Sequence, residues 1–258
     1  MSTLTVRYIG GPTAVLELGG LRLLTDPTFD GPGSHPVGAR TLTKTAGPGL
    51  PLAEIGPVDA VLLSHDHHPD NLDASGRELV TGGAVRTVLS TGSAADRLGG
   101  AVRALPNWEH AVLARPDGGS LRVTGVPALH GPQGSEPLVG EVTGFVLSGG
   151  GLPTVYVSGD NASLGIVREV ADRVGPVDVA LLFAGAARTP LIPDAPLTLT
   201  SAQAAEAAAI LGARRVVPLH FEHWTHFTED GDSLAKAFDA AGLGDRLHRL
   251  APGGLVRF

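Results

Sequence analysis

The chain has 258 residues, 43% hydrophobic and 17% charged, which is enough apolar material for one large layered core and too much for a disordered chain. A formal net charge of −7 argues against a nucleic-acid partner bound through phosphate neutralisation, and no run of Lys or Arg marks a local basic patch. With no cysteine, disulfides, thiolate catalysis and Cys-ligated zinc or iron–sulfur clusters are excluded, so any metal must be held by imidazole and carboxylate.

The start, Met1 to Tyr8, has no basic stretch followed by an apolar run of signal length, and no apolar run reaches bilayer-crossing length. The expected location is the cytoplasm, with no membrane insertion. Leu4 to Ile9 alternates as a strand, Gly10-Gly11-Pro12 turns, and Thr13 to Leu18 with Leu21 to Leu24 around Gly19-Gly20 reads as a hairpin. Asp30 to Pro51, rich in Gly, Pro and Thr, reads as a long surface loop suited to covering a site. Val58 to Leu63 is a strand running into a histidine-rich stretch. Ala84 to Leu89, Ala111 to Leu113 and Leu121 to Leu129 are further strands, the last ending in His130. Thr154 to Val157 precedes Ser158-Gly159-Asp160, and Gly149-Gly150-Gly151 reads as a hairpin turn rather than a phosphate loop.

Ala162 to Val174 has helical spacing, and Val177 to Phe183 is a buried strand. Thr200-Ser201-Ala202-Gln203 is a capping-box pattern opening an Ala-rich helix to Leu211, which Gly212 stops. Val216 to Leu219 is a strand ending in His220. A helix near Ser233 to Ala241 precedes a terminal strand, Gly254 to Phe258. No linker divides the chain, so residues 1–258 read as a single domain.

Four apolar segments thus end in or near a metal-ligating residue: Leu63 before Ser64-His65, Leu129 before His130, Val157 before Ser158-Gly159-Asp160, and Leu219 before His220. Ligands at strand ends are held by rigid elements and converge where the strands converge. The chain has 10 His, and three of them fall within residues 65–68. Imidazole with carboxylate suits zinc, manganese or iron, and an open coordination position lowers the pKa of bound water toward about 7.

The order His65-x-His67 then Asp70, a distant His130, Asp160 after a Ser-Gly turn, and a final His220 resembles the metallo-β-lactamase superfamily. The resemblance runs from Tyr8-Ile9-Gly10-Gly11 through Leu24-Thr25-Asp26-Pro27 to Val217-Pro218-Leu219-His220. These strings look most like the branch of ascorbate-phosphate lactonase and N-acylphosphatidylethanolamine phospholipase. It implies an α+β fold, a four-layer αββα sandwich of mixed sheets with metals at one sheet edge. Carried over, His65, His67 and His130 bind one metal, Asp160 bridges, and His220 binds the second with Asp70, which also orients or deprotonates the attacking water. Zinc is the expected metal, one or two ions, with manganese or iron as alternatives. The sequence departs from the family's His-x-His-x-Asp-His pattern: one residue is inserted, and Asp70-Asn71 stands where Asp-His is expected.

The implied activity is hydrolysis of an ester-like bond (lactone, phosphodiester or amide) of a small molecule by metal-activated water, with homo-oligomerisation open. Two other classes stay open: a metal- or ligand-binding member that has lost catalysis, motivated by Asn71 and the insertion, and di-iron oxidoreductase chemistry. His130 and His220, each taken alone, read equally as core histidines. His68 reads as a solvated neighbour rather than a ligand, and Asp160 alone as an Asx-turn former. His223 is expected as a general acid, His226 sharing that possibility with surface packing. Trp108 and Trp224 are candidate pocket walls, and Arg188 a contact for a substrate phosphate or carboxylate, against an ion pair.

Overall fold

The computed structural model describes residues 3–38 and 40–258. The chain opens with an antiparallel meander, β1 (Leu4–Gly10), β2 (Thr13–Leu18) and β3 (Leu21–Thr25). Gly19 and Gly20 close its second turn at φ 61° and 81°, a left-handed pair that side-chain-bearing residues resist. Residues 30–51 are not structureless. They hold the hairpin β4 (Gly33–Val37) and β5 (Arg40–Lys44), whose strand signal the surrounding Gly and Pro conceal. Next come α1 (Leu52–Ile55), β6 (Ala60–Leu62), α2 (Ala74–Thr81), β7 (Val88–Ser90), α3 (Gly92–Leu98) and β8 (Val102–Ala104).

The second half continues through β9 (His110–Ala114), β10 (Ser120–Pro127), α4 (Glu136–Val139), β11 (Thr143–Ser148) and β12 (Val155–Val157). It ends with α5 (Leu164–Val174), β13 (Val179–Phe183), α6 (Ser201–Ile210), β14 (Arg215–Leu219), α7 (Gly231–Ala240) and β15 (Leu255–Arg257). Helix α5 starts later than the spacing predicts, because Ser163 caps it by accepting a hydrogen bond from the Ile166 amide. Both halves of the Thr200–Gln203 capping box form at α6.

One sheet has seven strands in the order β15-β1-β2-β3-β6-β7-β8, and the other six in the order β14-β13-β12-β11-β10-β9. Both are mixed. Strands β3, β6, β7 and β8 run parallel, as do β12, β13 and β14. Strand alternation sorts the first sheet's side chains to two faces. Leu4, Val6, Tyr8, Leu23, Ala60 and Leu62 face the second sheet's Val123, Phe145 and Tyr156 in one core. Ile9, Leu24, Val61 and Leu63 face outward onto Ile55 and Val80 from α1 and α2. On the second sheet the strand β13 is buried throughout, with Val167, Ala204 and Phe238 of α5, α6 and α7 in its core. Helices therefore flank both sheets, giving the four-layer αββα sandwich of mixed sheets. Each fully buried Leu, Val or Phe contributes roughly 1.5–3 kcal/mol, so the sheet–sheet core dominates the frame that holds the strand ends. Among the described residues no helix is long and apolar enough to cross a membrane.

Candidate metal centre

Parallel pairing brings the polar strand ends to one edge. Thr25 pairs with Leu62 across β3 and β6, so Asp26 and Ser64 emerge side by side. Phe183 pairs with Leu219 and Val157 with Leu181, which sets Asp160 beside His220. The two sheet edges are joined where the Thr143 amide donates to the Ser64 carbonyl at 3.1 Å. Gly159, at φ 57°, fits this junction because a Cβ there would lie 2.6 Å from the Thr143 oxygen and 3.0 Å from Ser64 Cβ. Asn161 fixes the His130 segment by accepting from the Leu129 amide at 3.1 Å.

His65, His68 and His130 place their ligating nitrogens within 4.8 Å of one another. His65 Nε2 is 3.1 Å from His68 Nδ1. The ring tautomers follow from the hydrogen bonds behind them. His130 Nδ1 donates to the Leu197 carbonyl at 2.9 Å, leaving a buried Nε2 with no partner. The Ser64 hydroxyl donates to Asp26 at 2.6 Å, so with Asp26 ionised the His65 Nδ1–H donates to Ser64 Oγ at 3.0 Å and Nε2 carries the lone pair. Burial pushes His65 well below the usual imidazole range and His68 down to about 4, so both rings are neutral at neutral pH and could offer a lone pair to a metal.

A second cluster adjoins the first. His220 Nε2 lies 3.4 Å from Asp70 Oδ2 and 3.4 Å from Asp160 Oδ1, while Asp160 Oδ2 faces His130 Nδ1 at 3.6 Å. Burial disfavours charge on His220, yet the two carboxylates outweigh it and hold the ring up to about 10. Against the burial penalty, His226 and His220 hold the Asp70 carboxyl well below its usual range, and His220 and His130 do the same for Asp160. The two carboxylates therefore favour positive charge at His220. Both His220 ring nitrogens and Asp70 Oδ1 are buried without hydrogen-bond partners. Orphaned donor atoms of this kind, all imidazole or carboxylate, fit zinc, manganese or iron.

The structure departs from the expected ligand set at two positions. His67 is not brought into the imidazole triplet: its ring packs against Gly140 and its Nδ1 sits 3.9 Å from Asp66. His68, expected as a solvated neighbour, is the third ring of that triplet. Asp66 itself is bound to Arg97 through both Nε and Nη2. His223, expected as a catalytic acid, lies against Gly10 with Nε2 3.8 Å from Glu222. His226 is the histidine that reaches the cluster, 2.9 Å from Asp70 Oδ2. Asp26 was visible only as part of a string, although it too ends a strand before a Pro. Trp108 stacks under Arg173, with the guanidinium carbon 4.2 Å from the ring centroid, and Trp224 is buried behind the hairpin beside Lys44.

His68, Asp70, His130 and His226 line a narrow cleft whose walls include Arg40 and Leu42 of the hairpin, Arg188 and Thr189. A groove of about 440 Å³ lined by Val37, Leu138 and Leu191 shares Arg40 and His68 with this cleft. A larger groove of about 740 Å³, beside Pro48, Leu52 and Glu78, contains none of these histidines.

The family model of the beta-lactamase superfamily domain matches residues 21–221. A metal-dependent hydrolase of Rubrobacter xylanophilus is 28% identical over 211 residues, covering 78% of this chain and 80% of that protein. Another, of Methanosphaerula palustris, is 33% identical over 132 residues, 47% of this chain and 56% of that relative's length. Among solved structures, isothiocyanate hydrolase from Delia radicum gut bacteria shares the fold, with a TM-score of 0.81, 20% identity and 98% of both chains covered. Fold and relatives define a metal-dependent hydrolase of the metallo-β-lactamase fold, and the buried donor set fits that class. The chain belongs to the beta-lactamase superfamily.

Proposed function

We propose that the protein hydrolyses an ester-like bond (lactone, phosphodiester or amide) in a small molecule bearing a negative charge and an apolar arm. The observation that carries this reading is the buried imidazole group His65–His68–His130, with His220 held 3.4 Å from both Asp70 and Asp160 beside it and orphaned donor atoms along a narrow cleft. His65, His68 and His130 would hold one cation and Asp70 with His220 a second. The Asp160 carboxylate lies 3.4 Å from His220 Nε2 and 3.6 Å from His130 Nδ1, the nitrogen behind the ring's free Nε2. A bound zinc ion, or manganese or iron in its place, supplies Lewis-acid activation of water and of the scissile group.

The chain's own groups then position and discriminate. Asp70 keeps Oδ1 without a hydrogen-bond partner, so it is placed to aim the attacking water and accept its proton. Arg40 donates to Thr189 Oγ1, and among the described residues no carboxylate lies within 4.0 Å of its guanidinium, leaving it to face a substrate anion. Leu138 and Leu191, 53% and 44% exposed at the groove mouth, suit an aliphatic arm. His223, the expected general acid, lies against Gly10 with Nε2 3.8 Å from Glu222, and is not among the residues lining the cleft.

The test is turnover of 4-nitrophenyl esters, lactones and bis(4-nitrophenyl) phosphate by protein loaded in turn with zinc, manganese and iron. Metal-dependent turnover abolished in His130→Ala is expected. A protein shown to be loaded yet inactive on every bond type would sink the reading. It would favour a catalytically weakened ligand-binding protein, to which Asn71 in a histidine's place already points.

A further inference from the structure

We propose that the edge strand β9 pairs with β9 of a second copy of this chain, antiparallel across a twofold axis at Val112. A row of unpaired N–H and C=O groups templates further pairing, and soluble proteins blunt such rows with short strands, charge, proline or a covering segment. Three of the four sheet edges follow that rule. Strand β14 contains Pro218 and is partly covered, since Leu247 bridges to Val216 and the His248 amide donates to the Val216 carbonyl at 2.8 Å. Strands β15 and β8 have 3 residues each and carry Arg257 and Arg103. Strand β9, in contrast, has 5 residues with no Pro, Lys, Arg, Asp or Glu, and among the described residues no strand lies outside it.

The edge is open on both counts, backbone and side chain. The Arg115 amide donates to the Gly119 carbonyl at 2.9 Å, and the Gly125 amide to the Glu109 carbonyl at 3.0 Å. Bonding to one neighbour recurs at every second residue, so the odd-numbered residues turn their backbone groups to β10. Those of His110, Val112 and Ala114 point away from the sheet. All three residues are exposed, Val112 at 60%, above Leu138, Leu191 and Leu255. On the inner face Ala111 and Leu113 are only half-buried, whereas their β10 partners Val123 and Leu121 are fully buried. The core between the two sheets thus stays uncovered along this strand.

The strand is complementary to itself. With Val112 on the axis, Ala111 of one copy stands opposite Leu113 of the other, His110 opposite Ala114, and Glu109 opposite Arg115. Apolar meets apolar, and the facing charges have opposite sign. Glu109 is exposed with no cation within 4.0 Å among the described residues, while Asp117 and the Gly19 carbonyl fix Arg115 at the strand end. An axis one residue on, at Leu113, would instead set Glu109 against Asp117. About six backbone hydrogen bonds close the pairing and join the two six-stranded sheets into one. A contact of this length stays in the small class of interface, under about 1,200 Å², so association in the micromolar range is expected.

The test is sedimentation velocity of the full chain from about 1 to 300 µM, a range chosen for an interface of that class. Val112→Lys and Val112→Glu are run alone and as an equimolar mixture. Wild type should pass from monomer to dimer across this range. Each variant alone should stay monomeric, its Kd raised at least about 100-fold, because like charges then meet on the axis. The mixture should recover the dimer, since Lys faces Glu. Ala114→Pro removes an outward N–H while sparing the β10 ladder, and should weaken association at least about 10-fold. A wild type that is monomeric throughout overturns the proposal. So does a dimer that both Val112 variants retain, which places the contact elsewhere, or a mixture that stays monomeric, which denies the twofold pairing. Unchanged far-UV circular dichroism and Tm in the variants show that association, and not the fold, was lost.

Discussion

Replacing Asp26 by Asn should stabilise the metal-free protein at pH 8 and weaken its metal binding at the same time. Asp26 accepts from the Ser64 amide and hydroxyl, both at 2.6 Å, and from Asn71, yet burial outweighs these bonds and raises its carboxyl from 3.8 to about 7. Because the folded pKa lies above the unfolded one, the folded state holds the extra proton. Stability from this group is therefore present below about pH 4 and is lost as pH climbs to about 7. A shift of about three pH units at 1.36 kcal/mol each makes the loss about 4 kcal/mol, an upper figure because nearby carboxylates titrate with it. Asn carries no charge to desolvate but surrenders the acceptor for Ser64 Oγ, which returns about 1–2 kcal/mol of the gain. The net expectation is about 2 kcal/mol more stability at pH 8 and little change or a small loss at pH 5. The bond that sets the His65 tautomer goes with it, so metal affinity should fall about 10–100-fold. Urea unfolding in excess chelator at both pH values, beside a chelator-competition titration, measures both effects. Equal destabilisation at the two pH values, or unchanged metal affinity, would refute the reasoning.

Lys44→Met should cost about 3 kcal/mol by thermal or urea unfolding, since Lys44 Nζ lies 3.3 Å from Asp73 with both side chains almost wholly buried, and Asp73 would be left charged with only its backbone donors. Gly159→Ala should cost about 3 kcal/mol or more and strip metal, because φ 57° and a Cβ 2.6 Å from the Thr143 oxygen force the sheet-edge junction apart; a variant with wild-type stability would show the junction to be pliable. Arg40→Gln should raise KM for an anionic substrate about 10-fold or more, with kcat and metal content nearly unchanged and a neutral analogue unaffected. Equal losses on charged and neutral substrates would remove Arg40 from recognition.

The layered fold was legible because strand alternation and strand-end histidines survive as local patterns. Leu62 and Val61 sort to opposite faces as their spacing dictates, and His130, Asp160 and His220 stand where their strands stop. What was not legible depended on the turn and on long-range packing. Nothing in His65-Asp66-His67-His68-Pro69-Asp70 says which ring turns inward; that is settled by Gly140 receiving His67 and by Arg97 pulling Asp66 aside. The spacing of His223 and His226 from His220 does not reveal that the first folds back on Gly10 while the second meets Asp70. The hairpin at residues 33–44 was hidden because its strands are short, largely polar and broken by Gly and Pro. Asp26 becomes readable only through its partner strand, since the parallel pairing of β3 and β6 puts it beside Ser64.

The most direct test of the metal centre is elemental analysis of the purified, metal-reloaded protein beside His68→Ala and His67→Ala. Two ions per wild-type chain, one lost in His68→Ala and both kept in His67→Ala, is the expected result. A wild type without metal, or an ion lost in His67→Ala and kept in His68→Ala, would contradict the site described here.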